Sequence, residues 1–285
     1  FFHPHPAIRD CLLSRGLGDV YKRQYRNLLA EPESTIPLRV ASLYTLAQLN
    51  FVEEDYEEGV KVLLQWMEEV EIITAQGWSL LGQAYFQLGT EQKSASEKLD
   101  YYEKALESIL SAVQTAEIEE YKPKENWYVL MAACYSELES RIGKEESLYK
   151  QLDIYEILVN QYPKKLYFIQ LGGIYGQLGR ELDYMITLNA AYQKDLLDKE
   201  SEYLALTQLL LLNNNPYWAA KVLEAGRIKK VPVIDEKTKE EKILPVVKDL
   251  SLIHISEPTR QEAISYAVFV LKKKRGGGGG GGGGG

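Results

Sequence analysis

The chain has 285 residues, with 33 Lys and Arg against 41 Asp and Glu, a formal net charge of −8 and an isoelectric point near 5.2. An acidic balance of this size repels phosphate backbones and disfavours nucleic acid as a partner. No stretch approaches the ~20 apolar residues of a membrane span, and the run Leu209–Leu212 is far too short.

In chain order, the first stretch does not read as folded protein. Residues 14–24, SRGLGDVYKRQ, and residues 250–274, LSLIHISEPTRQEAISYAVFVLKKK, resemble translated DNA of a sequencing-library adapter. Such an adapter carries a variable index. TGC CTC TTG encodes Cys11-Leu12-Leu13, and its reverse complement, CAA GAG GCA, encodes Gln261-Glu262-Ala263, so both ends fit one index. Lys272 to Lys274, Arg275 and the closing glycine run fit a read that passes the end of its template. The resemblance implies that 1–24 is artefact and disordered, that 250–285 is artefact with a poly-Gly tail, and that the biological sequence is a metagenomic fragment of about Tyr25 to Asp249. Within it 24 basic residues face 37 acidic ones, a net charge of −13. His3, His5, His254 and Cys11 all lie in the excluded ends, leaving Cys134 as the sole cysteine. Zinc, haem and histidine acid–base chemistry lose their ligands, and no internal disulfide can form. No cofactor, metal or catalytic role is expected.

From residue 38 onward, apolar residues recur at spacings of three and four, one face of a helix. Leu43-x-x-Leu46-Ala47 is followed by YEEGVKVL from Tyr56 to Leu63. Trp78-x-x-Leu81-Gly82-x-x-Tyr85 is followed by a second pattern from Tyr102 to Ala112. Trp127-x-x-Leu130 runs on to Cys134-Tyr135, and its partner, Gln151 to Leu158, ends at Tyr162-Pro163, where proline cannot continue a helix. Phe168-x-x-Leu171-Gly172-x-x-Tyr175 and Leu206 to Leu212 with Tyr217 to Leu223 complete the series. In the pairs Leu88-Gly89 and Leu178-Gly179, glycine in the left-handed conformation is expected to close a helix. Residues 227–249, β-branched and charged with two prolines, fit no repeat; a truncated helix pair beginning near Lys237 is one reading.

Across 38–226 the chain resembles the tetratricopeptide repeat (TPR) family. That resemblance implies an all-α, TPR-type solenoid of antiparallel helix pairs with about five repeats, roughly 38–70, 75–116, 125–163, 165–196 and 200–226, with 227–249 unassigned. Ala105, Ala112, Ala191 and Ala219 stand where the family packs its helices closely. The chain departs from the pattern at residues 90–100, TEQKSASEKLD, and again around Ser140–Glu146. Gly59 and Gln151 replace the family's alanine. Three stretches (Lys122–Trp127, Tyr162–Gly179, and Lys199–Glu202 with Pro216–Glu224) are similar to proteobacterial TPR proteins encoded beside TonB–ExbB–ExbD systems. That similarity implies a bacterial cell-envelope scaffold, located in the periplasm.

In the TPR family the first helix of each pair lines a concave groove. The matching positions are Tyr44, Gln48 and Phe51; Ser79, Gln83 and Phe86; Tyr128, Ala132 and Tyr135; Ile169 and Gln177; and Gln208. Tyr44, Gln48, Phe51, Gln83, Phe86, Tyr128, Tyr135 and Gln177 are the candidate partner-binding residues. Rings supply apolar area and amides bond to an extended backbone. The competing reading is that several of these rings fill the core between repeats. The set lacks the basic cluster that clamps a C-terminal carboxylate. Trp78, Trp127, Tyr175 and Cys134 fall on the packing stripe and read as structural. The acidic runs Glu53-Glu54-Asp55 and Glu117–Glu120 read as solvated faces. Gly172, Gly173 and Gly176 lack the strand and lysine of a nucleotide loop. The expectation is a non-enzymatic scaffold with a protein or peptide partner. The alternative is the repeat region of a larger protein whose catalytic or membrane domain lies elsewhere.

Overall fold

The computed structural model describes residues 17–234 and 241–247. Helices α1 (Leu17–Ala30), α2 (Ile36–Val52), α3 (Tyr56–Glu69), α4 (Ala75–Glu91), α5 (Ala95–Ile118), α6 (Glu125–Glu137), the single turn α7 (Glu139–Ile142) and α8 (Lys144–Gln161) come first. Then follow α9 (Lys165–Gln177), α10 (Glu181–Gln193), α11 (Glu200–Leu212), α12 (Pro216–Ile228) and strands β1 (Lys230–Ile234) and β2 (Glu241–Pro245). The chain divides into two compact units between Ile154 and Tyr155. Histidines 3, 5 and 254, Cys11 and the segment 250–285 lie outside the described residues.

The all-α class and the antiparallel helix pairs are those expected. In the first unit, the start of α2 meets the end of α3 through a two-pronged pair of Arg39 with Glu69, with Nη2 2.5 Å and Nε 3.0 Å from its two carboxylate oxygens. The turn between them is held by Glu54 in the left-handed region (φ 64) and by Asp55, whose side chain accepts from the Glu58 N–H. Thr74 caps α4 in the same way through the Gly77 N–H. Leu46, Leu63, Leu81 and Leu88, exposed by 3% or less, form the core between the first two hairpins. A Cβ at Gly82 would lie 3.1 Å from the Ala105 carbonyl oxygen, so α4 and α5 come into close backbone contact there. Ala105 and Ala112 are fully buried along that contact.

Two features differ from the sequence expectation, and a third settles a stretch that the sequence left open. Gly89 does not close α4, which runs on to Glu91, because the Tyr102 ring lies over it; a Cβ there would stand 2.7 Å from Tyr102 Cε1. The extra residues 90–100, left without a structural reading in the sequence, mostly extend the start of α5, which reaches 24 residues. Residues 17–24, expected to be disordered, form the first turns of α1. Their burial is reversed for an amphipathic helix. Val20 and Tyr21 are 53% and 37% exposed, whereas Lys22 is 6% exposed and paired with Glu53.

In the second unit, Gly179 (φ 70) does close α9 as expected. The Tyr184 ring of α10 packs onto Gly172, where a Cβ would meet it at 2.8 Å. Ala191 and Ala219 are fully buried. The link between α10 and α11 is fastened by Lys229, whose Nζ donates to the Asp195 carboxylate at 2.7 Å and the Leu197 carbonyl at 2.8 Å. Glu202 reaches back to accept from the Lys199 N–H at 3.1 Å, completing the α11 cap.

Beyond Gly226 the chain forms an antiparallel β-hairpin, not a helix pair. Its register runs from Lys230 opposite Pro245 to Ile234 opposite Glu241. The β-branched residues Val231, Val233, Ile234 and Ile243 favour extended backbone, and Pro232 and Pro245 resist helix. After β2, Val246 and Val247 tuck under the unit at 4% and 1% exposure. The Val247 N–H donates to the Gly226 carbonyl at 3.0 Å. A Cβ at Gly226 would meet Val247 Cγ2 at 2.5 Å and Tyr203 Cδ1 at 2.8 Å, so only glycine fits there unmoved.

Candidate partner-binding face

Seven of the eight candidate residues lie in the first unit, on α2, α4 and α6; Gln177 stands exposed at the end of α9 in the second. Two of the seven are core residues. Phe51 is 1% exposed because Gly59 on α3 leaves room for its ring, a Cβ there meeting Phe51 Cδ1 at 2.5 Å. Tyr128 is 4% exposed because α6 is buried along two adjoining stripes, Trp127-Met131-Cys134 and Tyr128-Ala132. Both leave the candidate set.

The other five are half-buried. Tyr44 packs on Trp66 with ring centroids 4.9 Å apart and shares a hydrogen bond with Gln48. The Gln83 amide donates to the carbonyl and hydroxyl of Ser79 at 3.1 and 3.0 Å, which holds it in one rotamer. Phe86 lies 5.1 Å from Tyr102. The Tyr135 carbonyl accepts from Ser147 Oγ at 2.7 Å, tying α6 to α8. Since α4 also touches α6, Phe86 and Tyr135, each eight residues beyond its helix's tryptophan, belong to neighbouring helices at matching positions. Of the wider set, Ser79 and Ala132 are buried, Ile169 packs into the second core and Gln208 is exposed.

Carboxylates act on Tyr135 and on two rings outside the candidate set, Tyr56 and Tyr102. Burial and then Glu54 and Glu91 push the Tyr56 phenol up; burial and then Glu137 do the same at Tyr102. At Tyr135 the causes are burial, Cys134, Asp153 and Glu146. A charge lattice ties the two departures from the repeat pattern together: Arg141 lies 2.8 Å from Asp100 and 2.7 Å from Glu103, and Lys98 lies 3.1 Å from Glu137. Only the charges of these residues hinted at it in the sequence.

The residues read as structural are so placed. Trp127 is 1% exposed and Trp78 packs on the first core. The Tyr175 hydroxyl lies 2.5 Å from Glu156 Oε1, with the Arg180 guanidinium 4.7 Å above its ring. Cys134 is fully buried, and burial pushes its thiol up to about 12, so thiolate is suppressed at neutral pH. Both acidic runs are exposed.

The phenols of Tyr175 and Tyr203 are also pushed up to about 12, first by burial, then by Glu156 and Asp195 respectively. Unfolded, such phenols ionise near 10.0 and a thiol near 9.0. The folded chain therefore keeps protons that the unfolded chain releases. This stabilisation is fully present below pH about 9 and is lost as pH rises toward 12. Tyrosinate absorbance of these buried rings is expected to appear together with loss of helical circular dichroism. Full titration near pH 10 with the helices intact would contradict the burial described.

No known protein family and no curated protein matches this sequence. Solved structures do resemble it. The crystal structure of MamA is 16% identical, with 64% of this chain and 90% of that one covered and a TM-score of 0.46. A thermophilic TPR protein from Thermus thermophilus is 17% identical over 65% and 89% of the two chains, with a TM-score of 0.35. The TPR2AB domain of yeast Sti1, in its complex with pHSP90, is 16% identical over 75% and 91%, with a TM-score of 0.28. The helix-pair architecture rests on the packing described above. No helix among the described residues is long and apolar enough to cross a membrane.

Proposed function

We propose that this chain is a non-enzymatic protein-interaction scaffold that holds an extended segment of a partner against the first helices of its hairpins. One observation carries the reading: Tyr44, Gln48, Gln83, Phe86 and Tyr135 stay half-buried on helices whose other faces are closed into core. Half-buried rings offer contact area at low entropic cost, and fixed amides offer directed hydrogen bonds. Peptide display against the chain is expected to enrich a consistent sequence pattern. Joint replacement Phe86→Ala and Tyr135→Ala should abolish that enrichment with a melting shift of only a few degrees. Equal enrichment on the double variant would remove the face from the reading.

The finer assignment, to a bacterial cell envelope beside a TonB-type transport system, is supported by the similarity of Lys122–Trp127, Tyr162–Gly179, Lys199–Glu202 and Pro216–Glu224 to such proteins. Sequencing the source locus tests it, together with the adapter origin of the two ends. A leader peptide and transport genes nearby would support the envelope. A genomic copy of residues 1–24 and 250–285 would show those ends to be natural.

A further inference from the structure

The two units differ in charge. Residues 17–154 carry 13 Lys and Arg against 25 Asp and Glu, whereas the described residues of the second unit carry 10 against 9. Five of those 13 cations are engaged within the unit: Lys22 with Glu53, Arg39 with Glu69, Lys61 with Glu58, Lys98 with Glu137, and Arg141 with Asp100 and Glu103. The surplus negative charge is not confined to remote turns. Glu91 ends α4, five residues beyond Phe86, and Glu146 precedes Ser147, whose Oγ donates to the carbonyl of Tyr135, the ring at the edge of the binding face, at 2.7 Å; Asp153 lies further along the same helix, α8. All three carboxylates are exposed. A half-buried ring beside carboxylates suits a chain that alternates apolar side chains with cations, since long basic side chains pack their stems on rings and present their charge at the rim.

We propose that the ring row of the first unit, centred on Phe86 and Tyr135, docks a basic extended segment bearing lysine or arginine, its apolar side chains on the rings and its cations opposite Glu91, Glu146 and Asp153. This rests on the scaffold reading above and adds the charge of the partner. An acidic segment meets repulsion from the same carboxylates, and the field speeds encounter with a basic one at low salt.

The test is fluorescence anisotropy of the full chain with a short labelled peptide of alternating lysine and leucine, and with its glutamate–leucine counterpart. The lysine peptide is expected to bind, to weaken as sodium chloride rises, and to lose roughly tenfold in affinity on the variant Glu146→Gln/Asp153→Asn. The variant Glu117→Gln/Glu119→Gln removes the same charge from the far end of α5 and should change affinity less than about twofold. Equal losses on the two variants would reduce the effect to overall charge and overturn the proposal, as would equal binding of the glutamate peptide. If the lysine peptide fails while display-selected peptides bind and depend on Phe86 and Tyr135, the scaffold reading stands and the basic partner falls. If no peptide depends on those two rings, both fall.

Discussion

Replacing Gly59 by alanine is expected to destabilise the first unit by about 1–3 kcal/mol, the usual cost of overfilling a packed core. The sign is the informative part. Alanine is the residue the TPR pattern calls for here, and on propensity alone it should stabilise a helix by about 1 kcal/mol over glycine. The backbone offers no obstacle, since Gly59 lies in the first turns of α3, where alanine is at ease. The obstacle is the ring of Phe51, which fills the place a methyl group would take; the added carbon would stand 2.5 Å from Cδ1. With Phe51 1% exposed, the ring cannot swing into solvent without opening the core between α2 and α3. Urea unfolding gives the magnitude, and the combination with Phe51→Leu gives the cause. In that background, Gly59→Ala should become neutral or stabilising, a coupling of about 1 kcal/mol or more between touching residues. An alanine that stabilises the unaltered protein would refute the packing of Phe51.

Val247→Asp should act at the other end of the chain and more severely. Val247 is 1% exposed, pressed on Gly226 and Tyr203, and its N–H donates to the Gly226 carbonyl. A carboxylate there would be buried at 1% exposure against Gly226, and burying an unpaired charge costs several kcal/mol. The molecule can avoid part of that by releasing the hairpin, which would uncover the core residues Val222, Leu223 and Tyr203. Hydrogen exchange should therefore rise in α11 and α12 while α2 to α5 keep their protection. Unchanged exchange in α12 would mean that the hairpin is an ornament and not a cover. Val247→Ile is the matched control, since it keeps the apolar contact.

Which parts of this architecture were legible beforehand follows from what each residue touches. Trp78, Leu81, Gly82 and Tyr85 gave away their hairpin because a helix's own spacing places them on one face, and the small partner Ala105 lies within the same hairpin. Gly179 and Gly89 follow leucine in the same way, yet only Gly179 ends its helix. The difference is the Tyr102 ring over Gly89, a contact from the next helix that local sequence does not announce. The same limit explains the candidate face. Tyr44, Phe86 and Tyr135 kept partial exposure, but Phe51 sank into the core because a residue on α3 happens to be glycine, and Tyr128 because α6 is covered along a second stripe. The β-hairpin was hinted at by its β-branched residues and two prolines, but its role depends on Gly226 leaving a socket for Val247. Residues 17–24 point the other way: a helix forms where disorder was expected, with Lys22 buried against Glu53 and Val20 and Tyr21 left outside.

The bridges from Arg141 to Asp100 and Glu103 have a bearing on descent. The guanidinium comes from the short stretch added after α6, and Asp100 comes from the stretch added before the part of α5 that follows the repeat pattern. Lengthening α5 alone would leave Asp100 without its guanidinium partner, and adding Arg141 alone would leave it only Glu103. Each addition supplies the surroundings in which the other is tolerated. The two should therefore be inherited as one character, so that a relative missing residues 90–100 is expected to have a short turn between α6 and α8 as well.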